Sequence, residues 1–203
     1  MGERHQFILL KGINGDDSIR ILEQCTASSQ SDLIERQSAG EPTVQVADGE
    51  DCATILIDYW EREFNAIGGL HAGPWITIRA QEGDHWDYTL HHGKSVIDEF
   101  SVKPNYWDGD EPYDSKYDCK KGNPSILAVA WNIPVKRIER YLLNWEQYPD
   151  EDARIARVKA YPGDNATHGD VFQVNDFARA LGARFGKDIY RKFHIHPGSR
   201  WRP

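Results

Sequence analysis

Residues 75–102 read WITIRAQEGDHWDYTLHHGKSVIDEFSV, and the parsing of this stretch decides the fold. Three runs rich in β-branched and aromatic residues, 75–80 (WITIRA), 85–90 (HWDYTL) and 95–102 (SVIDEFSV), are separated by Glu82-Gly83-Asp84 and His92-Gly93-Lys94. Glycine beside Asp or Lys supplies the positive φ of a tight connection, and a helix would be broken at the same positions. The stretch therefore predicts an antiparallel meander over about 73–102.

Working outward, the segment 5–11 (HQFILLK) reads as a short buried strand ended by Gly12 and Gly15, after which Asp16, Asp17 and Ser18 open a helix running to Gln24. A second strand is expected at 43–46. Residues 51–67 place Leu56, Trp60, Phe64 and Ile67 at helical spacing, with Asp51 as N-cap and Gly68 as stop, and predict a helix. Residues 103–119 read as a long loop and 154–161 as a last strand. A C-terminal helix over about 171–181 is ended by Gly182. The expected class is α+β, a mainly antiparallel sheet packed by helices.

The chain has 203 residues, and no Ser/Gly-rich or Pro-rich stretch divides it, so a single compact domain over 1–203 is expected. Seven Trp, nine Tyr and seven Phe are enough large side chains to close a core without a staple. Cys25, Cys52 and Cys119 are odd in number and never form a C-x-x-C pair, which argues against a disulfide framework or a cysteine zinc site. The apolar run at 7–10 is too short for a signal peptide or a membrane span. A cytoplasmic location without a membrane partner is the resulting expectation.

The formal charge of −8 disfavours polyanionic partners, and its distribution is uneven. Residues 84–118 hold nine acids against three lysines, whereas the tail 184–203 holds six Lys/Arg against Asp188. Trp86, Tyr88, Tyr106, Trp107, Tyr113 and Tyr117 are interleaved with those acids. Rigid aromatics anchor and carboxylates select a basic partner, so Trp107, Asp108, Asp110, Tyr113, Asp114 and Tyr117 form the expected protein-binding surface. A regulatory or inhibitory protein acting by contact is the reading that follows. Some of these aromatics must serve the core instead.

A rival reading rests on residues 127–142, LAVAWNIPVKRIERYL. Asn123 caps a first helix, Pro124 suits its first turn, and Asn132 takes the left-handed turn, so a helical hairpin is expected over about 123–146. Its second helix would present Lys136, Arg137, Arg140 and Asn144, side chains that contact phosphates and base edges. Pro134, Val135 and Glu139 count against DNA at that surface.

Other chemistries are weaker. His194 and His196 would project to one side of an extended segment and offer two metal ligands, the basis for a metal-dependent enzyme as a further alternative. Gly93-Lys94-Ser95 lacks the earlier glycine of a phosphate cradle and joins two strands. The acidic loop 108–114 has Pro112 where a calcium loop wants a ligand. Asp98 and Glu99 point to opposite faces of a strand, so at most one reaches a given cleft. No cofactor signature is present, and the sequence leans away from an enzyme.

Overall fold

The computed structural model describes residues 4–27, 44–57, 66–81, 85–106, 115–145, 158–184 and 191–193. The class is α+β. In chain order the elements are β1 (Arg4–Lys11), α1 (Gly15–Ala27), β2 (Val44–Asp48), β3 (Cys52–Ile57), α2 (Ile67–Leu70), β4 (Pro74–Gln81), β5 (His85–His92) and β6 (Ser95–Ser101). A 3-10 helix (Ser115–Lys120), α3 (Pro124–Trp131), α4 (Gln173–Ala180) and β7 (Arg191–Phe193) follow. The strands lie in the order β6-β5-β4-β1-β3-β2-β7, and every neighbouring pair is antiparallel.

The meander expected at 73–102 is present as β4-β5-β6, one end of a wider sheet. Gln81 pairs with His85, and the β5–β6 turn runs through Gly93 at φ 53°. Next to it, β4-β1-β3-β2 has the strand order of a split β-α-β unit, with α1 crossing from β1 to β2. Both faces of the central strand are therefore covered. Phe7 and Leu9 join the cluster under α3 and α4, whereas Ile8 and Leu10 join the cluster under α1 and α2. That double burial explains the uninterrupted apolar run FILL, since each such side chain contributes about 1.5–3 kcal/mol when removed from water.

The expected helix over 51–67 is corrected at its start, and 58–65 lie outside the described residues. Residues Cys52–Ile57 form β3, paired with β1 on one side and β2 on the other. Asp51 sits at φ 57° in the β2–β3 turn and caps no helix, and among the described residues of this span the helical part is the start of Ile67–Leu70. The run CATILI is β-branched and internal to the sheet, so its apolar residues are continuous and mimic helical spacing when only every fourth one is counted. Trp60 and Phe64 lie outside the described residues.

Helix α1 begins one residue after Asn14, whose Oδ1 accepts the Asp17 N–H at 2.9 Å, while Asp48 accepts the Gly15 N–H at 2.6 Å. Asn14, rather than the acidic pair behind it, supplies the side-chain cap, and the Asp48 carboxylate complements the helix N-terminus. Helix α2 packs its Gly68 against the backbone of Gly93 so closely that a Cβ has no room. Trp75 fixes the same corner, donating Nε1 to the Gly93 carbonyl at 2.8 Å.

The expected helical hairpin is half present. Helix α3 has its Asn123 cap, accepting from the Ser125 and Ile126 N–H groups, and its left-handed Asn132 at φ 55°. Beyond Pro134 the chain makes two 3-10 turns, Val135–Arg137 and Glu139–Tyr141, in place of a second α-helix. Ile138 (φ −131°) and Leu142 (ψ 58°) leave helical geometry. The physical reason is burial: Ile138, Tyr141 and Trp145 all enter the core, and Tyr141 donates to Asp164 at 2.7 Å. The strand expected at 154–161 lies partly outside the described residues, and its described end, 158–161, is irregular. Helix α4 falls within the expected 171–181.

His91 stacks on Trp75 with centroids 3.8 Å apart, and burial pushes its imidazole down to about 4. The unfolded chain binds this proton near pH 6.5 and the folded one does not, so stability is full above about pH 6.5 and falls as pH drops toward 4. Unfolding in urea is expected to show a loss of about 2 kcal/mol between pH 7 and pH 5 from this group. His91→Gln should flatten that slope. An unchanged slope in the variant means that His91 is not its source.

Candidate functional site

The face of the sheet that carries α1 and α2 changes character along its strands. At one end Leu10, Trp75 and His91 are cross-strand neighbours beneath the helices. Toward the other end the same face presents Gln6, Arg79, Asp87 and Ser101 in successive register. Thr89 and Glu99, another cross-strand pair, lie beside them. Among the described residues α1 and α2 cover β1, β2 and β3, and the meander extends past them. What remains is a shallow polar cleft of about 40 Å³, floored by Arg79, Asp87, Thr89, Glu99 and Ser101 and walled by Pro104 and Lys120.

At its base sits a buried carboxylate. Asp87 accepts Arg79 Nε at 2.8 Å and Nη2 at 3.0 Å, and His85 Nε2 lies 2.9 Å from its second oxygen. Burial works against ionisation of Asp87, but the His85 hydrogen bond and the Arg79 guanidinium outweigh it and hold the group below the ordinary carboxylate range. The His85 ring stacks on Tyr106 at 4.6 Å, and Gln81 Nε2 donates to the Tyr106 hydroxyl. The His85 side chain is 1% exposed. The trio therefore acts as a rigid internal brace, with Arg79 as its only half-exposed member.

Asp98 and Glu99 do point to opposite faces. Asp98 accepts the Tyr88 hydroxyl at 2.6 Å and the Asn123 N–H with both oxygens, which ties β6 to the start of α3. Burial pushes its carboxyl up, partly offset by these bonds. Glu99 faces the cleft. A register shift at Leu90/His91 bends the β5–β6 pair, and the 3-10 helix covers part of the β6 edge through Phe100 and Lys121. A bulge and a covering loop protect an edge strand from adventitious pairing.

Helix α3 is apolar at every position except Ser125. Leu127, Ala128 and Trp131 are buried, and Trp131 Nε1 donates to the Leu181 carbonyl of the α4 terminus at 2.7 Å. On the outer face Ile126 is 38% exposed and Val129 82%. A helix that is apolar all round is ordinarily buried all round, so this outer face departs from the usual pattern.

The residues expected to bind DNA do not share one exposed stripe. Lys136 and Arg137 are exposed on a 3-10 turn, Arg140 lies over the Tyr161 ring and reaches the Ala160 carbonyl, and Asn144 is buried. Of the expected protein-binding set, Tyr117 lies in the Ser115–Lys120 helix, and Trp107, Asp108, Asp110, Tyr113 and Asp114 fall outside the described residues. His194 and His196 also fall outside them. Among the described residues no group of three or more His, Cys, Asp or Glu is placed to hold a metal ion. No described helix is long and apolar enough to cross a membrane.

Arg79, His85, Asp87, the Thr89–Glu99 pair and the outer face of α3 are the features that reading the sequence missed. Alternation carried the first group: in 85–90 the residues His85, Asp87 and Thr89 are the polar phase, and the pairing of Gln81 with His85 sets Asp87 opposite Arg79. Comparison of the chain with protein-family models, with curated proteins and with solved structures finds no match.

Proposed function

We propose that the protein is a regulatory or inhibitory protein-binding module. Its contact surface joins the apolar outer face of α3 to the acidic, aromatic segment that precedes it in the chain. The observation that carries this reading is Val129, 82% exposed on a helix with only one polar residue. Apolar surface left in water at such a helix is the anchor type found at the centre of contacts. Support also comes from continuity: the 3-10 helix Ser115–Lys120 packs on β6 and leads directly through Gly122 into the Asn123 cap. The local charge of −6 over 84–118 selects a partner whose groove is rimmed by Lys or Arg.

The test begins with a partner captured on the wild-type protein, purified and titrated by calorimetry. Val129→Lys is expected to leave the thermal melt unchanged and to weaken the complex at least tenfold. Trp107→Ala is expected to cost on the order of 2 kcal/mol of affinity. Replacing Asp108 and Asp110 with Asn should slow association and flatten its salt dependence. A complex of unchanged affinity with Val129→Lys sinks the reading. So does a wild-type dimer, seen by light scattering, that Val129→Lys converts to monomer, because the face would then be a self-contact.

A further inference from the structure

We propose that the polar cleft on β4-β5-β6 is a binding site for a free α-amino acid, held by its ammonium and carboxylate groups. The site lies on the face of the sheet opposite α3, although most of its residues belong to the segment that the protein-binding reading uses. Its charged groups divide into two kinds. Arg79 and Asp87 are bonded to each other and to the His85 brace. Glu99 and Lys120 both line the cleft half-buried, yet neither makes an ion pair among the described residues.

Their failure to pair is a feature of the geometry. The Gly122 N–H donates to the Glu99 carbonyl at 2.8 Å, and Phe100 bridges to Lys121, so the backbone on either side of Lys120 and Glu99 is pinned together. A carboxylate-bearing and an ammonium-bearing side chain thus line one cleft with no ion pair between them or to any other described residue. Ser101, which faces the cleft two residues along β6, accepts the Lys103 N–H at 3.2 Å and retains its own hydroxyl proton to donate. Two residues of strand span roughly 7 Å, the separation needed for one small zwitterion to lie between Glu99 and the Ser101 end.

The arrangement selects ligand chemistry by elimination. A simple anion meets Lys120 and Ser101 but is repelled by Glu99. A simple cation meets Glu99 but is repelled by Lys120 and the half-exposed Arg79. A molecule carrying both charged groups on one carbon satisfies both at once, and a dipeptide holds them farther apart. Because the cleft is shallow and open, the ligand's side chain would project into solvent, so little discrimination among amino acids is expected.

With few heavy atoms in contact, a dissociation constant on the order of millimolar is expected. The experiment is amide NMR on the full chain titrated separately with glycine, alanine, acetate, methylamine and glycylglycine. Glycine and alanine should move the Thr89, Glu99, Ser101 and Lys120 resonances along saturating curves, and the other three should not. Glu99→Gln and Lys120→Gln, each with an otherwise unchanged spectrum, should each weaken glycine at least tenfold. No saturating shift with glycine overturns the proposal. Equal shifts with acetate also overturn it, by making the site a plain anion site, as does a Glu99→Gln protein that binds glycine unchanged.

Discussion

Trp131→Ala is expected to cost the protein about 3–5 kcal/mol, a large fraction of the roughly 5–15 kcal/mol that holds an ordinary domain folded. Trp131 is fully buried where α3 meets α4 on one face of the sheet. Removing the indole leaves a cavity in the cluster that also holds Leu127, Phe177 and Leu181, and rigid neighbours fill it only in part. It also removes the donor that satisfies the Leu181 carbonyl, the bond that closes the α4 terminus onto α3. Trp131→Phe separates the two contributions. It keeps most of the apolar volume and should cost about 1–2 kcal/mol. Urea unfolding followed by circular dichroism decides between them: equal losses for the two variants would mean that the hydrogen bond, and not the packing, holds α3 in place.

Asp87→Ala is the second large effect, expected at about 3 kcal/mol. Taking one member from a buried charge group strands its partners, and His85, 1% exposed, cannot turn to water for compensation. Arg79 can, because its side chain is 41% exposed. Arg79→Met should therefore cost markedly less than Asp87→Ala, since His85 still serves the carboxylate. The sign of the pH dependence follows from the depressed carboxyl. Its stabilisation is present above the ordinary carboxylate range and is lost as pH falls through the folded value. Acid unfolding monitored by tryptophan fluorescence should thus show a steeper limb below about pH 4 in the wild type than in Asp87→Ala. Identical acid limbs would show that Asp87 is not held ionised by its partners.

These two residues differ in how far the sequence exposes them. The Asp87–Arg79 pair follows from local chemistry, because β4 and β5 are close in sequence, Gln81 pairs with His85, and register fixes which polar residues meet across the strands. The Trp131–Leu181 bond joins positions fifty residues apart, and no local pattern relates them. The same division explains the corrected helix. Residues 51–67 carry helical spacing in Leu56 and Ile67, but Cys52–Ile57 lies between β1 and β2, where continuous apolar burial overrides that spacing. It also explains α3. Its caps, Asn123 and Asn132, act within a few residues and were legible. The turn that follows was decided by what Ile138, Tyr141 and Trp145 had to reach.

By itself, the sequence determined what short range can specify: the meander at 73–102, the buried strand at 5–11 and the ends of α3. In each case the responsible interactions span only a few residues, through turn conformation, capping bonds and strand alternation. Only the tertiary structure decided that β1 lies at the centre of the sheet with both faces covered, and that β3 is a strand. It alone decided that the meander extends past the helices to leave a polar cleft, and that Val129 faces water while Leu127 does not. Those outcomes depend on which distant surfaces compete for the same apolar area, and burial free energy carries no memory of position along the chain.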